Sequence, residues 1–416
     1  MKNKAVTVIG IGRVGLPLAL FLADKNHRVF GIDTDEKKID DLKKGKMPFI
    51  EKDATRLLKK YVNKSFFPTT SYNRLKEAQT IILTLGTPVD ANMDPVYDQI
   101  DNALEKISPM LRKNQLIILR STISPKTTFY VRDFIEKRTK LKIGRNIFLA
   151  YCPERIAEGA ALIELKEIPQ IIGGIDKKSG ESAKEFFEEL GIKCQISDSV
   201  SAELAKLFTN MYRYISFAMA NEFMVLAESF NRNIYEIVDL VNRNYKRGGL
   251  VLPGLTSGPC LFKDGFFLIN ENPFLDLIVA SWKINEAVPL FLIKKLRERV
   301  RLKNKKVAIL GLAFKPEIDD IRESLSFKLR KALLREHAQV TLHDPYVKFY
   351  KHQQLAKNIK EAVLDADVIF ITTKHRFYEQ RKKQILKLLN KNTYICDIWN
   401  IFGTNKIIFR AGQFSK

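Results

Sequence analysis

The sequence predicts the α/β fold class, with two doubly wound α/β domains joined by a central region of long helices. Short apolar segments alternate with helical patterns in the N-terminal part, which indicates βαβ units and a parallel sheet. From about Ser199 the strand signals disappear. A strand–glycine–helix–strand–aspartate order occurs twice, at Val6–Asp33 and at Val307–Asp344. We therefore expect domains at residues 1–198, 199–303 and 304–416.

The N-terminal domain begins with a strand, a helix and a second strand. Val6–Ile9 is apolar, Leu16–Asp24 has the helical period, and Arg28–Ile32 again favours a strand. Further short apolar runs, which favour strands, are Thr80–Leu85, Leu116–Leu119, Ile147–Ala150 and Gln170–Ile172.

The central region is dominated by helical patterns. Ser201–Asn242 is rich in Leu, Phe, Met and Ala and predicts one or two long helices, and Pro273–Arg301 predicts another. We interpret Pro253–Asp264 as a loop of small residues that ends in a thiol, an amine and a carboxylate. The C-terminal domain is predicted to contain strands at Lys306–Leu310, Gln339–Leu342 and Asp367–Thr372, and a helix near Leu325–Arg335.

The composition limits the possible partners and location. The formal net charge of +23 favours anionic partners such as nucleic acid, phosphorylated metabolites or acidic membranes. We find no arginine-rich tail, aromatic RNA-binding motif or membrane-spanning apolar stretch, so we expect neither nucleic acid nor a membrane as partner. Spacing typical of a metal site is absent from the four cysteines, Cys152, Cys194, Cys260 and Cys396. We therefore expect no metal and a reducing cytoplasm.

A glycine-rich turn follows the first strand and opens the first helix. Gly10 permits a tight turn, Gly12 allows close approach of a pyrophosphate, and Gly15 allows the helix to pack on the strand. Asp33 ends the second strand, where it can accept hydrogen bonds from ribose hydroxyls and repel a 2′-phosphate. The sequence therefore predicts a Rossmann domain that binds NAD in preference to NADP, with Arg13 and Val14 inside the binding turn.

Four further segments carry polar groups in positions that packing does not require. They are Arg120–Thr122 at a strand end, Tyr151–Gly159 with carboxylates at Glu154 and Glu158, the helical pair Lys206 and Asn210, and the segment ending in Cys260, Lys263 and Asp264. Taken singly, each could be a solvated charge or a buried thiol. Their combination behind a dinucleotide turn indicates an active site.

These motifs occur in the same order as in the UDP-glucose/GDP-mannose dehydrogenase family, the nucleotide-sugar 6-dehydrogenases, and the sequence resembles that family. The resemblance covers essentially the whole chain, from Gly10 to Asp397–Asn400. It also includes Thr87-Pro88, Phe314–Pro316 and Asp320–Ser324. It implies an NAD domain, a helical dimerisation core and a C-terminal domain that helps to hold the nucleotide sugar. The apolar helical stretch from about Ala202 to Val241 has more hydrophobic surface than two small domains could cover, so we expect a homodimer or larger assembly. A role in polysaccharide biosynthesis is also expected.

The resemblance also implies roles for individual residues. Cys260 looks like the nucleophile and Glu154 like the carboxylate that activates water. Their implied catalytic neighbours are Lys206, Asn210, Asp264 and Thr122. Implied cofactor contacts are Thr87, Thr122, Glu158 and Lys263, and implied substrate contacts are Glu154, Glu158, Lys206, Asn210, Arg247, Lys315 and Arg322. One departure is Pro259, because many members have a more glycine-rich loop before the cysteine.

Oxidation of a primary alcohol to a carboxylate removes four electrons, and this requirement explains why the enzyme would need a nucleophilic cysteine. A thiolate that adds to the intermediate aldehyde gives a thiohemiacetal, from which a second hydride can leave. The segments Gly86–Asp90 and Gly258–Cys260 look more like the UDP-N-acetylhexosamine branch, although UDP-glucose is possible. Two alternatives are a two-electron β-hydroxyacid dehydrogenase and a non-catalytic nucleic-acid-binding protein with a Rossmann fold.

Overall fold

The structure is a computed structural model that describes residues 4–351 and 353–414. The chain forms two compact units. The first comprises Met1–Thr209 and Phe266–Pro273, and the second comprises Asn210–Gly265 and Phe274–Lys416.

The first unit is built on an eight-stranded sheet with the order β3-β2-β1-β4-β5-β6-β7-β8. Its strands are β1 (Ala5–Ile9), β2 (Arg28–Ile32), β3 (Phe66–Thr69), β4 (Thr80–Leu83), β5 (Leu116–Leu119), β6 (Phe148–Tyr151), β7 (Gln170–Gly174) and β8 (Cys194–Asp198). The β6–β7 pair is antiparallel and the other pairs are parallel. The helices are α1 (Gly15–Asp24), α2 (Glu36–Lys43), α3 (Ala54–Tyr61), α4 (Asp98–Ile107), α5 (Thr127–Arg138), α6 (Ala161–Glu167) and α7 (Lys177–Glu189), with 3₁₀ turns at Asn73–Glu77 and Ser108–Met110.

Both faces of this sheet are covered by apolar side chains. Ile82 and Ile118 pack into the layer formed with α1 and α7, whereas their neighbours Ile81 and Ile117 pack into the opposite layer with α4 and α5. Successive strand residues point to opposite faces, so a strand buried on both faces is apolar at every position. This explains why the central strands are readable as continuous apolar runs.

Four helices follow the first sheet, and two of them have residues in both units. They are α8 (Ser199–Ser229), α9 (Ile234–Asn242), α10 (Pro259–Ile269) and α11 (Asp276–Arg297). The predicted helical stretches 201–242 and 273–301 are therefore confirmed. The interpretation of Pro253–Asp264 as a loop is wrong from Pro259 onward, because α10 begins there. Proline suits this position, since the first helical N–H needs no intrahelical partner.

The second unit contains a five-stranded sheet with the order β10-β9-β13-β14-β15, in which only the β14–β15 pair is antiparallel among its described strands. Its strands are β9 (Lys306–Leu310), β10 (Gln339–His343), β13 (Val368–Ile371), β14 (Tyr394–Asp397) and β15 (Ile408–Arg410), and a separate pair is β11 (Phe349–Tyr350) and β12 (Gln353–Gln354). The helices are α12 (Leu325–Arg335), α13 (Ile359–Val363), α14 (Arg376–Gln380) and α15 (Lys382–Leu388), followed by a 3₁₀ turn at Ala411–Phe414.

The helices α9 and α11 share one apolar core with this second sheet. Leu292 and Leu296 of α11 are buried in the same cluster as Ile309 of β9 and Leu329 of α12. The predicted α/β fold class with a helical central region is confirmed. Within residues 4–351 and 353–414, none of the helices has the length and hydrophobicity needed to cross a bilayer.

Candidate active site

The glycine turn lies where the strand order of the first sheet reverses, between β1 and β4. Open α/β sheets bind ligands at such a point. Gly10 has a φ of 90°, and a Cβ there would lie 2.7 Å from the Thr84 carbonyl oxygen. A Cβ on Gly15 would collide with the Gly10 carbonyl oxygen, so α1 packs directly on the turn.

Gly12 differs from these two glycines, because a Cβ there would meet no atom within 4 Å. Packing within the chain does not explain a glycine at this position, whereas close approach of a phosphate does. Val14 is the N-cap of α1, so the helix begins directly after the glycine turn. The turn therefore fits the pyrophosphate of a dinucleotide.

Asp33 follows β2, as predicted, and its carboxylate already has partners. One oxygen accepts from the Asp35 amide at 3.1 Å, and the other is 2.8 Å from Lys38 Nζ. A lysine beside this acid was not recognised from the sequence. Arg13 lies 3.8 Å from Glu158 and 4.9 Å from the ring of Phe49.

The loops that follow β4 and β5 are tied together. The Thr87 hydroxyl donates to the Thr122 carbonyl oxygen at 2.6 Å, and the Ser121 hydroxyl donates to the Leu85 carbonyl oxygen at 2.6 Å. Thr87 and Thr122 were predicted from separate motifs, and the structure brings them together at the carboxyl end of neighbouring strands.

Glu154 is buried and forms an ion pair with Arg120, whose side chain is only 1% exposed. The other Glu154 oxygen accepts from the amides of Arg155 and Ile156 at 2.8 and 3.1 Å. Arg120 also donates to the side-chain oxygen of Gln170 at 2.8 Å. Sequence reasoning singled out the segment of Arg120 but missed this pairing, which engages one oxygen of the expected base while backbone amides engage the other.

Glu158 lies in a segment held by another acid. The Glu51 carboxylate accepts from the amides of Gly159 and Ala161 at 2.8 and 3.0 Å. Glu51 is buried, and its distance of more than 100 residues from Gly159 in the sequence hid this role. It fixes the backbone next to Glu158.

In the second unit, the polar groups of α10 form a compact cluster. Asp264 is fully buried and accepts from Asn210 Nδ2 at 2.6 Å and from Lys263 Nζ at 3.2 Å. Because a carboxylate only accepts, Asn210 must turn its amide nitrogen toward Asp264. Cys260 lies in the first turn of α10, four residues before Asp264, and is exposed.

Lys206 lies one turn before Asn210 on α8 and is buried, in the part of that helix that belongs to the first unit. The predicted one-face arrangement of Lys206 and Asn210 is consistent with the observed helix. A buried ammonium on an apolar helix is costly unless a ligand or a polar group compensates it.

The other three cysteines lie in different environments. Cys152 and Cys396 are buried, and burial raises the pKa of both thiols well above the usual range. Burial also raises the pKa of Cys194 to about 11. Since the thiolate is the nucleophile, the exposed Cys260 is the best candidate of the four.

The turn before Cys260 packs against the loop that carries Lys315. Gly258 has a φ of 112°, and a Cβ there would lie 2.5 Å from the ring of Phe314. The Gly258 amide donates to the Glu323 carbonyl oxygen at 3.3 Å. The predicted contact residue Lys315 therefore follows a residue, Phe314, whose ring packs against the turn immediately before Cys260, within the second unit.

Two predicted arginines of the second unit have nearby partners. Arg322 donates to both oxygens of Asp320 in a two-point ion pair. Arg247 lies beyond α9 with its guanidinium 5.2 Å from the ring of Tyr245. Arg322 is therefore engaged within its own loop.

Comparisons with known proteins agree across the chain. Residues 4–191, 200–287 and 308–404 match, respectively, the NAD binding domain, the central domain and the UDP binding domain of the UDP-glucose/GDP-mannose dehydrogenase family. A UDP-N-acetyl-D-mannosamine dehydrogenase from Methanocaldococcus jannaschii is 34% identical over 96% of this chain and 93% of that protein.

Two solved structures of UDP-N-acetylmannosamine dehydrogenases are similar to this chain over most of its length. The structure of a UDP-D-ManNAc dehydrogenase from Pyrococcus horikoshii has a TM-score of 0.86 at 29% identity, with 92% of each chain covered. That of a UDP-N-acetyl-mannosamine dehydrogenase from Staphylococcus aureus has a TM-score of 0.81 at 28% identity, with 90% of each chain covered.

Proposed function

Because the chain belongs to the UDP-glucose/GDP-mannose dehydrogenase family, we propose that it oxidises the C6 alcohol of a UDP-N-acetylhexosamine to the carboxylate through a covalent Cys260 intermediate. The chain is an NAD-dependent UDP-sugar dehydrogenase; the choice of sugar and the thiol route are the proposal. The observation that carries the thiol route is the exposed Cys260 thiol, one helical turn from the buried Asp264–Asn210 pair.

The proposed chemistry proceeds in balanced steps. NAD, which the glycine turn and Asp33 would hold, would supply the hydride acceptor, and two NAD molecules would act in turn, one for each oxidation. The first oxidation converts the C6 alcohol to an aldehyde with loss of a hydride and a proton. The Cys260 sulfur then bonds to the aldehyde carbon, and loss of a second hydride and proton leaves a thioester. Water cleaves the carbon–sulfur bond, which releases the carboxylate and restores the thiol.

The cationic and amide groups have distinct proposed tasks. Lys206 is proposed to stabilise the developing alkoxide oxygen of each step, because an ammonium held out of water interacts strongly with an oxyanion. Asn210 is proposed to orient Asp264, since its amide already donates to that carboxylate. Asp264, or a water that it holds, would relay the protons that leave the reacting oxygen.

Glu154 is proposed to activate the water that hydrolyses the thioester, and Thr122 to support it from the loop after β5. In the structure both Glu154 oxygens are engaged, one of them by Arg120. Acting as a base would therefore require Glu154 to weaken one of these contacts.

The proposal is tested by a panel of UDP-N-acetylmannosamine, UDP-N-acetylglucosamine, UDP-glucose and GDP-mannose, scored by NADH yield. The names of the relatives from Methanocaldococcus jannaschii and Pyrococcus horikoshii support UDP-N-acetylmannosamine as the first sugar to try. Preferred turnover of UDP-glucose would reject the N-acetylhexosamine assignment. The β-hydroxyacid alternative leaves Cys260 and the UDP binding domain unexplained.

We expect kcat/KM for NAD to exceed that for NADP by about tenfold or more, because Asp33 would repel a 2′-phosphate. Asp33→Ala should narrow or reverse this ratio, since Lys38 Nζ, now 2.8 Å from Asp33, would then be available to pair with the phosphate. Steady-state kinetics with both cofactors measures the ratio. Asp40→Ala removes an exposed acid of α2 and should leave it unchanged. Comparable wild-type values for the two cofactors would reject the role of Asp33.

A homodimer is proposed on the basis of exposed apolar side chains along α8 and α9. Tyr212, Met219 and Phe223 form an exposed apolar stripe along α8, in which Tyr212 is 76% exposed. Phe230, just after α8, and Leu240 of α9 are 68% and 69% exposed. The stripe borders a groove of about 650 Å³ that also includes Arg247. Large exposed apolar patches of this kind mark protein interfaces, and a two-fold pairing uses the same patch twice.

Light scattering should therefore give a mass of at least a dimer at micromolar concentration. Phe223→Glu should shift the protein toward a monomer, because a charge in the proposed interface would be desolvated without a partner. Leu364→Glu is the matched control, since Leu364 is 62% exposed and lies outside the stripe. A monomeric wild type would contradict the proposed assembly.

The cellular compartment and the use of the product remain predictions. The cysteines show no paired spacing, which favours a reducing cytoplasm. A UDP-linked uronic acid would supply polysaccharide biosynthesis.

A further inference from the structure

A buried acid, Asp344, accepts hydrogen bonds from backbone amides of the loop that carries Lys315. Asp344 follows β10, and one of its oxygens accepts from the amides of Leu312 and Ala313 at 2.6 and 3.1 Å. The other accepts from the amides of Tyr346 and Val347 at 2.8 and 3.2 Å. Asp344 occupies the same place in the strand–glycine–helix–strand order as Asp33, but here the acid faces the glycine turn of its own domain.

His375 extends this arrangement to the far end of the same loop. Its side chain is fully buried, with Nε2 3.2 Å from the Asp344 carboxylate. Its Nδ1 accepts from the Glu317 amide at 3.0 Å. A backbone N–H can only donate, so Nδ1 must be unprotonated and the proton must lie on Nε2, where it donates to Asp344.

Glu317 itself is held in an unfavourable backbone conformation. It has a φ of 63°, a region that residues other than glycine rarely adopt. Besides the His375 contact, its carboxylate accepts from the Tyr346 hydroxyl and from the Arg376 amide, each at 2.8 Å. Such a conformation persists only where the surroundings fix it.

Phe314 and Lys315 lie between two fixed parts of this loop, the Ala313 amide bound by Asp344 and the Glu317 amide bound by His375. The Phe314 ring covers Gly258, two residues before Cys260, so close that a Cβ on Gly258 would overlap it. The Thr373 hydroxyl donates to the Ala313 carbonyl oxygen at 2.6 Å, which fixes the residue before Phe314. Displacement of the Glu317 end would therefore move Lys315 and release the support of the Cys260 turn.

We infer that His375 is a positioning residue of the dehydrogenase: as the neutral Nε2–H tautomer it bridges Asp344 to the Glu317 amide and fixes Phe314 and Lys315 beside the Cys260 turn. This inference rests on the proposed function for the role of Lys315 toward the nucleotide sugar. The bond pattern about His375 does not depend on it. His375 acts through the loop and has no proposed contact with substrate.

Paired substitutions separate the two hydrogen bonds of the ring. An asparagine oxygen can replace Nδ1 as acceptor, and a glutamine nitrogen can replace Nε2 as donor. His375→Gln should raise KM for the UDP-sugar by about tenfold or more, because the Glu317 amide loses its acceptor on the fully buried His375 ring. KM for NAD should stay within twofold. His375→Asn should recover part of the loss. His337→Asn, at an exposed position with a φ of 58°, should leave both values unchanged.

Two further measurements do not require turnover. Side-chain ¹⁵N NMR of the full-length wild type should show His375 protonated at Nε2 and unprotonated at Nδ1, with the signal assigned by its loss in His375→Asn. Calorimetry with UDP should show weaker binding to His375→Gln than to wild type. If His375→Gln fails to fold, the NMR result and the His375→Asn kinetics still decide.

The inference is overturned if His375→Gln binds UDP and the UDP-sugar as wild type does, if both KM values change equally, or if Nδ1 carries the proton. Failure of the proposed function would look different. In that case the wild type itself would produce no NADH with any UDP-sugar. The test of His375 instead compares its variants with a wild type that is active.

Discussion

Cys260→Ser should lose net oxidation of the UDP-sugar by about 10⁴-fold or more, the scale seen when a covalent enzyme loses its nucleophile. A serine hydroxyl has far less accessible anion near neutral pH than a thiol, so addition to the aldehyde becomes slow. Wild type should yield two NADH per sugar consumed, without accumulation of aldehyde. The measurement is NADH absorbance against sugar consumed, both followed in the same reaction.

The matched control is Cys194→Ser, because Cys194 is half-buried and burial raises its pKa to about 11. This variant should keep the two-to-one stoichiometry and a near-normal rate. One NADH per sugar in wild type, or a near-normal rate for Cys260→Ser, would reject the four-electron thiol route and favour a single-step alcohol oxidation.

Local sequence patterns were sufficient for the dinucleotide turn. Gly10, Gly15 and Asp33 are spaced by the strand and helix lengths themselves, and the steric reason for each glycine lies within a few ångströms of its own loop. The central strands were also readable, because burial on both faces makes them apolar throughout.

Edge strands were harder to recognise. β3 contains Pro68, which argues against a strand, and β8 is exposed from Gln195 to Asp198. Edge strands tolerate proline and polar residues because one side of their backbone lacks a strand partner. The helix start at Pro259 was missed since small residues before it favoured a loop.

Long-range pairs could not be predicted from one sequence. Arg120 and Glu154 are separated by 34 positions, and His375 and Asp344 by 31. Their partners are chosen by sheet order and loop packing, which no local spacing encodes. The residues found by motif are therefore those proposed to contact ligand, whereas residues that hold the motifs in place were overlooked.

Glu154→Gln distinguishes whether Glu154 acts on water or only pairs with Arg120. If Glu154 is the base, the two oxidations should proceed and hydrolysis should slow by about 10²- to 10⁴-fold, the usual contribution of general base catalysis. A burst of two NADH per active site should then be followed by a thioester on Cys260. Intact-protein mass spectrometry would detect it as the mass of the bound sugar nucleotide acyl group.

The same substitution also has a structural effect, which must be separated from the chemical one. Removing the charge of Glu154 leaves the buried Arg120 without its ion-pair partner, and breaking a buried pair costs about 3–5 kcal/mol of stability. Glu203→Gln is the matched control. Glu203 is a buried acid of the same unit that accepts from the Lys126 and Thr128 amides at 2.6 and 2.9 Å. It should lose stability without any adduct on Cys260. If Glu154→Gln also loses the first hydride transfer and leaves no adduct, the carboxylate serves to pair Arg120, and another group must activate the water.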